Sequence, residues 1–367
     1  MQALILAGGE GTRLRPLTSS VPKPVVPLAN RPFISFMIEW LRRHGVDDVI
    51  LSCGFMADQD RAVLGDGEDL GIRLRYVEEP KPLGTGGALR YAGDLLEEHF
   101  LMLNGDVLAD FDLDAQLRQH EQTGARATIA LVAAEDPSAY GLVRRNPDYS
   151  VSEFLEKPSP DEIDSDLINA GAYILERSIL EQMPPAGTNI SIERDVFPML
   201  VDRGLYGFAA AGYWLDIGTP PGYLQATFDI LEGNVRTGIG AALEYARHVL
   251  AAGARIDGRL VAPALVAEGS RIDARAIVVG RVVLGAGVTV GEGSHVENSV
   301  VLEGASIGAH TTISSSIVGA GVRVGDHCHL DGGVVLGDRV ALGEGNVLTA
   351  GARVFPDVAL PAGAIRF

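Results

Sequence analysis

Gly8, Gly9 and Gly11, followed by Arg13 and Lys23, are the residues of this chain best suited to hold a string of phosphates. Glycines let a backbone approach a ligand closely and aim successive N–H groups at an anion. Arg13 adds a permanent cation, and Lys23 stands between two prolines that stiffen its backbone. The glycines follow directly on an apolar run, Ala3 to Ala7, that suits a buried parallel strand. Strand, glycine loop and two cations together are what the phosphate chain of a nucleoside triphosphate needs. No G-K-[ST] follows the glycines and G-x-G-x-x-G is not met, so neither a P-loop nor a dinucleotide fingerprint is present.

Lysine usage marks sites independently. Of the 30 basic residues only Lys23, Lys81 and Lys157 are lysines, each beside a proline. A compact ammonium differs from a forked guanidinium where one phosphate oxygen must be met in a narrow space. Lys23 and Lys157 read as functional, and Lys81 as a solvated loop residue.

The elements that position these residues follow an α/β pattern through residues 1–232. Phe33, Phe36, Met37, Trp40 and Leu41, entered at Pro32 and stopped by Gly45, make an amphipathic helix whose apolar stripe is core. Val49–Leu51 and Arg73–Val77 read as strands, and residues 86–98 as a helix feeding the strand Phe100–Leu103. Asp106 therefore falls just past a strand's carboxyl end, where open parallel sheets place ligands. Taken alone, such an aspartate could equally be a turn or a helix cap.

After Gly233 a helix and linker (233–255) lead into a Gly-rich tail (256–367) with a hidden repeat. Aliphatic residues fall every six positions from Val266 through Ile272, Val278, Leu284, Val290 and Val296 to Leu302. After slips near Ile307 and Ile313 the period resumes at Val318 and runs to Leu360. A hexapeptide period marks a parallel β-helix of about five coils, each aliphatic pointing inward while Gly, Asp and Asn turn the corners.

Composition narrows the function classes. A net charge of −18, without a basic patch or helix, argues against nucleic-acid and membrane partners and requires a triphosphate site to be locally basic or metal-assisted. Cys53 and Cys328 lie far apart without C-x-x-C or His spacing, so neither a zinc site nor a disulfide framework is implied. Without a signal peptide before the first strand or an apolar run of membrane length, a cytoplasmic location is expected.

The string G-G-E-G-T-R-L-R-P-L-T with P-K-P behind it closely resembles the activation loop of the sugar-phosphate nucleotidyltransferases. P-L-G-T-G-G (82–87), L-N-G-D-V (103–107), Y-G-L-V (140–143), F-L-E-K-P (154–158), N-A-G-A-Y-I (169–174), S-I-E-R-D-V-F-P (191–198) and Y-W-L-D-I-G-T-P (213–220) follow in the family's order. The last three most resemble its GDP-mannose pyrophosphorylase branch. The resemblance implies a Rossmann-like, mostly parallel α/β catalytic domain followed by a left-handed parallel β-helix. It also implies a reaction between a nucleoside triphosphate and a sugar 1-phosphate that yields a nucleotide sugar and pyrophosphate.

By the same resemblance, Arg13, Lys23 and Asp106 are catalytic. Leu6, Ala7, Gly8, Gly9, Gly11, Thr12, Glu79, Gly84 and Thr85 join them around the nucleotide. Gly141, Glu156, Lys157, Asn169 and Asp216 face the sugar phosphate, and Asp106 and Asp216 are the carboxylates for Mg²⁺. Guanine offers two adjacent donors that one carboxylate can accept together, so the Glu78–Glu79 pair favours GTP; mannose 1-phosphate as the co-substrate is what the resemblance implies. The alternative is dTTP or UTP with glucose 1-phosphate.

Two other classes stand further off. Hexapeptide β-helices also form acyltransferases with a catalytic histidine, and His295, His310, His327 and His329 lie in the tail, but no long loop is inserted there. The family also contains silent regulatory subunits, against which the intact Arg13, Lys23, Asp106 and Asp216 argue. The remaining histidines, among them His44 and His120, read as helix-end or solvated residues. The tail is expected to assemble the chain into a homodimer or homotetramer, since closed two-fold symmetry is the commonest solution for a stack with bare ends.

Overall fold

Short apolar runs bounded by turn residues become the strands of one nine-stranded sheet. Positions 1–54, 56–134, 136–246 and 248–366 of the computed structural model are described below, without the Tyr245 side chain. The elements in chain order are β1 (Gln2–Leu6), α1 (Ile34–Arg43), β2 (Asp48–Cys53), α2 (Ala57–Leu64), β3 (Arg73–Glu78), α3 (Gly84–Ala92), β4 (His99–Asn104) and α4 (Leu113–Thr123). They continue as β5 (Ala127–Ala133), β6 (Gly141–Arg145), β7 (Val151–Glu156), β8 (Leu167–Glu176), β9 (Leu205–Ala209), α5 (Pro220–Glu232) and α6 (Gly238–Ala246).

The main path of the sheet runs β7-β6-β8-β4-β1-β2-β3, with β5 pairing β8 and β9. Its β4-β1-β2-β3 half is parallel, as the apolar runs predict. The other half is mixed, because β8 pairs antiparallel with β4, β5 and β6. Leu4, Ile50, Phe100, Met102, Ile129, Tyr173 and Phe197 fill the core beside it. Trp40, fully buried on α1, donates its indole N–H to the Phe111 carbonyl at 2.9 Å. Asp112 caps α4 by accepting from Ala115 N, and Gly124, at φ 61°, ends the helix in the left-handed conformation that glycine adopts at least cost.

The chain divides into two compact units that do not follow sequence order. The first holds Met1–Glu10 and Ile34–Trp214; the second holds Gly11–Phe33 and Leu215–Phe367. Of the three loop glycines only Gly11 belongs to the unit that contains the tail, together with Arg13 and the P-K-P segment around Lys23.

That tail is a stack of three parallel sheets of seven, seven and six strands, the form expected of a left-handed β-helix. Its first strand is His248–Leu250. The aliphatic period points inward, with Ile272, Val278, Val290, Ile313, Leu330 and Leu348 all fully buried. One position differs from the sequence pattern. Val301, not Leu302, takes the inward place, pairing with Leu284 on one side and Val318 on the other. The coils on either side of Val301 are each one residue shorter than their neighbours. Because both neighbours are aliphatic, only the ladder decides between them.

Candidate functional site

In the first unit, the residues expected around a nucleotide gather at the carboxyl edge of the parallel strands. Leu6 ends β1, and Ala7 donates its N–H to the Ser52 carbonyl on β2 at 2.8 Å. A Cβ on Gly8 would lie 2.7 Å from Glu79 Oε1, so a larger residue there would displace the Glu79 carboxylate. Around Gly9 the same atom would meet nothing within 4 Å. The space beside that glycine is open.

The structure separates the two glutamates of the E-E-P-K-P string. Glu78 pairs with Arg61 at 3.3 Å on the surface. Glu79 turns in, accepting from Ser52 Oγ at 3.0 Å and from Leu83 N at 3.2 Å. Burial raises its pKa above the ordinary range, and the two hydrogen bonds offset part of that rise. Each carboxylate oxygen accepts more than one bond, so both keep capacity for a further donor.

Gly105 donates to the Leu6 carbonyl at 2.9 Å, and a Cβ there would stand 2.4 Å from that oxygen. This contact seats half-buried Asp106 beside the end of β1, in the strand-end position predicted from sequence. Gly84, at φ 72°, opens α3 where a Cβ would meet the Ile190 carbonyl at 2.5 Å. The Thr85 hydroxyl is turned into the protein, donating to Glu193 at 2.7 Å and accepting from Ile192 N at 2.9 Å.

A second group forms at β6, β7 and β8. Gly141 faces Glu156 across the β6–β7 pair, where a Cβ would lie 3.0 Å from Glu156 Oε2 and 2.8 Å from the Phe154 ring. Partial burial and the nearby Glu193 carboxylate raise the Glu156 pKa, which Lys157 and Arg194 counter. Lys157 follows at φ 55°, a left-handed conformation uncommon for lysine, with its N–H on the Tyr140 carbonyl at 3.2 Å. Such a backbone is held where surrounding structure over-determines it, often at functional sites.

Asn169 sits where β8 slips register against β5, and a bulge of this kind re-aims side chains. Its amide donates to the Tyr173 hydroxyl at 2.9 Å and its Oδ1 accepts from Gly171 N. Tyr173 is fully buried, which drives its pKa well above the usual value. Tyr173 and Glu193 are residues that sequence reasoning missed. Tyr173 reads as core, and Glu193 accepts from the neighbouring Ser191 hydroxyl and, across more than a hundred residues, from Thr85.

In the second unit, Gly11 (φ 60°) leads into a short helical turn over Thr12–Leu14. Thr18 donates its hydroxyl to the Gly11 carbonyl at 2.7 Å, a loop-closing role not read from the sequence. Arg13 directs both terminal nitrogens to Asp216 Oδ2 at 3.3 Å. Asp216 Oδ1 accepts from Gly218 N at 2.6 Å, and its side chain is only 15% exposed. Lys23, half-buried, starts the turn Lys23–Val25.

Asp106 and Asp216 offer hard carboxylate oxygens, the donor type that suits a divalent cation such as Mg²⁺. His44, Asp112 and Asp114 also bring ligand atoms within 4.8 Å of one another. There, however, Asp112 already caps α4 and His44 bonds Asp114 at 3.0 Å.

The histidines mostly stay on surfaces, with one correction. His120 is buried, bonded to Thr128 Oγ1 at 2.9 Å and Glu176 at 3.1 Å, so it is a core polar group and not a solvated one. His310 and His327 stack ring on ring at 5.2 Å at a corner of the β-helix. Cys53 and Cys328 are both buried free thiols. Among the described residues no helix is long and apolar enough to cross a membrane.

Comparison with known proteins matches the nucleotidyl transferase family over residues 2–233 and a GMPPB C-terminal domain over residues 260–362. The chain is 37% identical to a mannose-1-phosphate guanylyltransferase of Mycobacterium tuberculosis, across 100% of this chain and 98% of that protein. It is 35% identical to the mannose-1-phosphate guanylyltransferase catalytic subunit beta of Danio rerio, across 97% and 96%. Among solved structures, HddC from Yersinia pseudotuberculosis complexed with GMP-PN superposes with a TM-score of 0.53 at 30% identity, covering 61% of this chain and 97% of that one.

Proposed function

We propose, given that the chain belongs to the nucleotidyl transferase family, that it couples GTP to mannose 1-phosphate, forming GDP-mannose and pyrophosphate. The observation that carries the guanine assignment is Glu79 lying against Gly8 with acceptor capacity to spare. Guanine N1–H and its 2-amino group are two adjacent donors for one carboxylate; uracil and thymine present a single ring N–H. The full-length relatives named as mannose-1-phosphate guanylyltransferases support the same pair.

In this reading a phosphate oxygen of the sugar 1-phosphate attacks the α-phosphorus in line. One P–O bond forms, the bond to the β-phosphate breaks, and pyrophosphate leaves. No proton need move, so the protein's work is positioning and neutralising two anions. The Gly8–Gly9 backbone, Gly11, Thr12 and the side chains of Arg13 and Lys23 receive the triphosphate. Lys157 binds the sugar phosphate, and Glu156 and Asn169 accept and donate hydrogen bonds to sugar hydroxyls beside Gly141. Enzymes of this family generally use a divalent metal; Asp106 and Asp216 are the ligands assigned here, with Mg²⁺ the ion. Bound there, the cation would offset phosphate charge.

The boundaries assigned are a catalytic domain over 1–232, a linker over 233–255 and a β-helix over 256–367. A cytoplasmic location fits the nucleotide substrate, and assembly as a dimer or tetramer through the β-helix fits its exposed apolar residues, such as Phe355 at 51%. Four nucleoside triphosphates tested against mannose and glucose 1-phosphates, with pyrophosphate release as the readout, decide the substrate pair. GTP with mannose 1-phosphate should be fastest. Faster turnover of dTTP or UTP with glucose 1-phosphate would overturn that pair, and no turnover with any would overturn the reaction.

A further inference from the structure

Three contacts tie the Gly11–Phe33 segment to the β-helix within one compact unit. Asn30, at the tip of the hairpin Pro27–Leu28/Arg31–Pro32, donates Nδ2 to the Leu284 carbonyl at 2.9 Å. Ser20 donates its hydroxyl to Asp338 Oδ2 at 2.5 Å, while Asp338 Oδ1 accepts from Ala320 N at 3.0 Å. Arg353 Nη1 donates to the carbonyls of Arg13 at 3.2 Å and Arg15 at 3.0 Å.

These anchors lie along a single sheet. Leu284 and Arg353 belong to strands of the same seven-stranded sheet, four strand spacings apart, and Asp338 follows the strand between them that ends at Leu336. At about 4.8 Å per strand the segment is held over roughly 19 Å. The Arg353 contact falls where it matters most. It brackets Leu14, which is fully buried, and fixes the backbone of Arg13, whose side chain reaches Asp216.

We propose that Arg353 is a positioning residue for nucleotidyl transfer. By bridging the Arg13 and Arg15 carbonyls, the β-helix holds the Arg13 guanidinium in place for the departing pyrophosphate. This rests on the reaction proposed above and assigns the β-helix a role beyond assembly. Arginine is suited to the task because its permanently charged guanidinium makes strong hydrogen bonds, here two from the single nitrogen Nη1.

The test uses full-length Arg353→Ala and Arg353→Lys, with Arg271→Ala as control. Arg271 carries an exposed ion pair to Asp273 on another sheet of the β-helix and none of the three anchors. Arg353→Ala should lower kcat about ten-fold, the scale of a lost charge-assisted hydrogen bond, and leave KM for the sugar phosphate within about two-fold. Arg353→Lys should restore part of the rate, and Arg271→Ala should match wild type. Amide hydrogen exchange over residues 12–20 should quicken in Arg353→Ala, a readout that does not depend on which substrates are used. An inactive wild type with that exchange change would sink the reaction and spare the positioning. Unchanged kcat and exchange in Arg353→Ala, or equal losses in Arg271→Ala, would overturn the positioning itself.

Discussion

Arg13 and Asp216 meet although 203 positions separate them, with both terminal nitrogens of Arg13 3.3 Å from one carboxylate oxygen. The other oxygen takes the Gly218 N–H at 2.6 Å, so the carboxylate is fixed from two sides. A cation assigned to pyrophosphate and a carboxylate assigned to metal therefore share one local geometry within the unit that carries the β-helix.

Asp216→Asn keeps an acceptor for Gly218 N, removes the charge and turns an amide donor toward the two Arg13 nitrogens. It should lower kcat by at least about 100-fold, as loss of transition-state electrostatics does, with little change in Tm. Arg13→Ala should fall similarly. Gly218→Ala is a finer probe, because its Cβ would lie 2.6 Å from Arg13 Nη2 and 2.8 Å from Asp216 Oδ1. Forcing the two apart should reduce kcat while the fold persists. Steady-state kinetics beside thermal melts check all three, and a Gly218→Ala enzyme of wild-type rate would show the pairing to be incidental.

Lys157→Ala should raise KM for the sugar phosphate at least about ten-fold and leave GTP binding nearly unchanged. The left-handed backbone at Lys157 (φ 55°) fits a residue held for use and not for stability. Calorimetric titration with GTP separates the two sites: loss of GTP affinity in this variant would show that the division between them is misplaced.

The reading of Gly8 to Lys23 came from local chemistry, since glycines, a proline-flanked lysine and a preceding strand are all neighbours in sequence. The β-helix was legible for the same reason, its period repeating inside every six residues. What the string could not carry was long-range. Nothing local says that Gly11–Phe33 lies on a sheet containing Arg353, or that the Thr85 hydroxyl is taken by Glu193. Of the adjacent glutamates, the resemblance placed Glu79 at the nucleotide, but the string gives no local reason for it to turn inward. Glu79 does so because it lies opposite Gly8 and within reach of Ser52 and Leu83 N. His120 misled because its helix is polar overall, while the one face that packs on β5 and β8 buries it.

Glu79→Gln tests the base. An amide accepts through one atom only, so the second guanine donor goes unmatched, and kcat/KM for GTP should drop about 10- to 100-fold. Rates with UTP should change far less, narrowing the preference. The raised pKa of Glu79 adds a pH signature. Protonation removes acceptor capacity, so wild-type kcat/KM for GTP should begin to fall, as pH is lowered, sooner than an ordinary glutamate would allow. Glu79→Gln should lack that limb of the profile, and an identical limb in both enzymes would remove Glu79 from the base site.

Asp60 provides a stability prediction apart from catalysis. It lies fully buried on α2, and burial pushes its pKa up to about 7, offset only in part by the neighbouring Cys53 thiol. An unfolded aspartate titrates near 3.9, so between about pH 4 and pH 7 the folded chain holds a proton that the unfolded chain has released. Stability from this group is therefore greatest below about pH 4, declines as pH rises through that window, and levels off above about 7. The decline is on the order of 4 kcal/mol, since each pKa unit is worth about 1.4 kcal/mol. Asp60→Asn mimics the protonated shape without titrating. Its Tm should lose less than wild type as pH rises from 4 to 7, with the two curves running parallel above that range. Thermal melts across pH 4 to 8 decide this, and curves parallel throughout would mean that Asp60 is ionised in the fold and satisfied there.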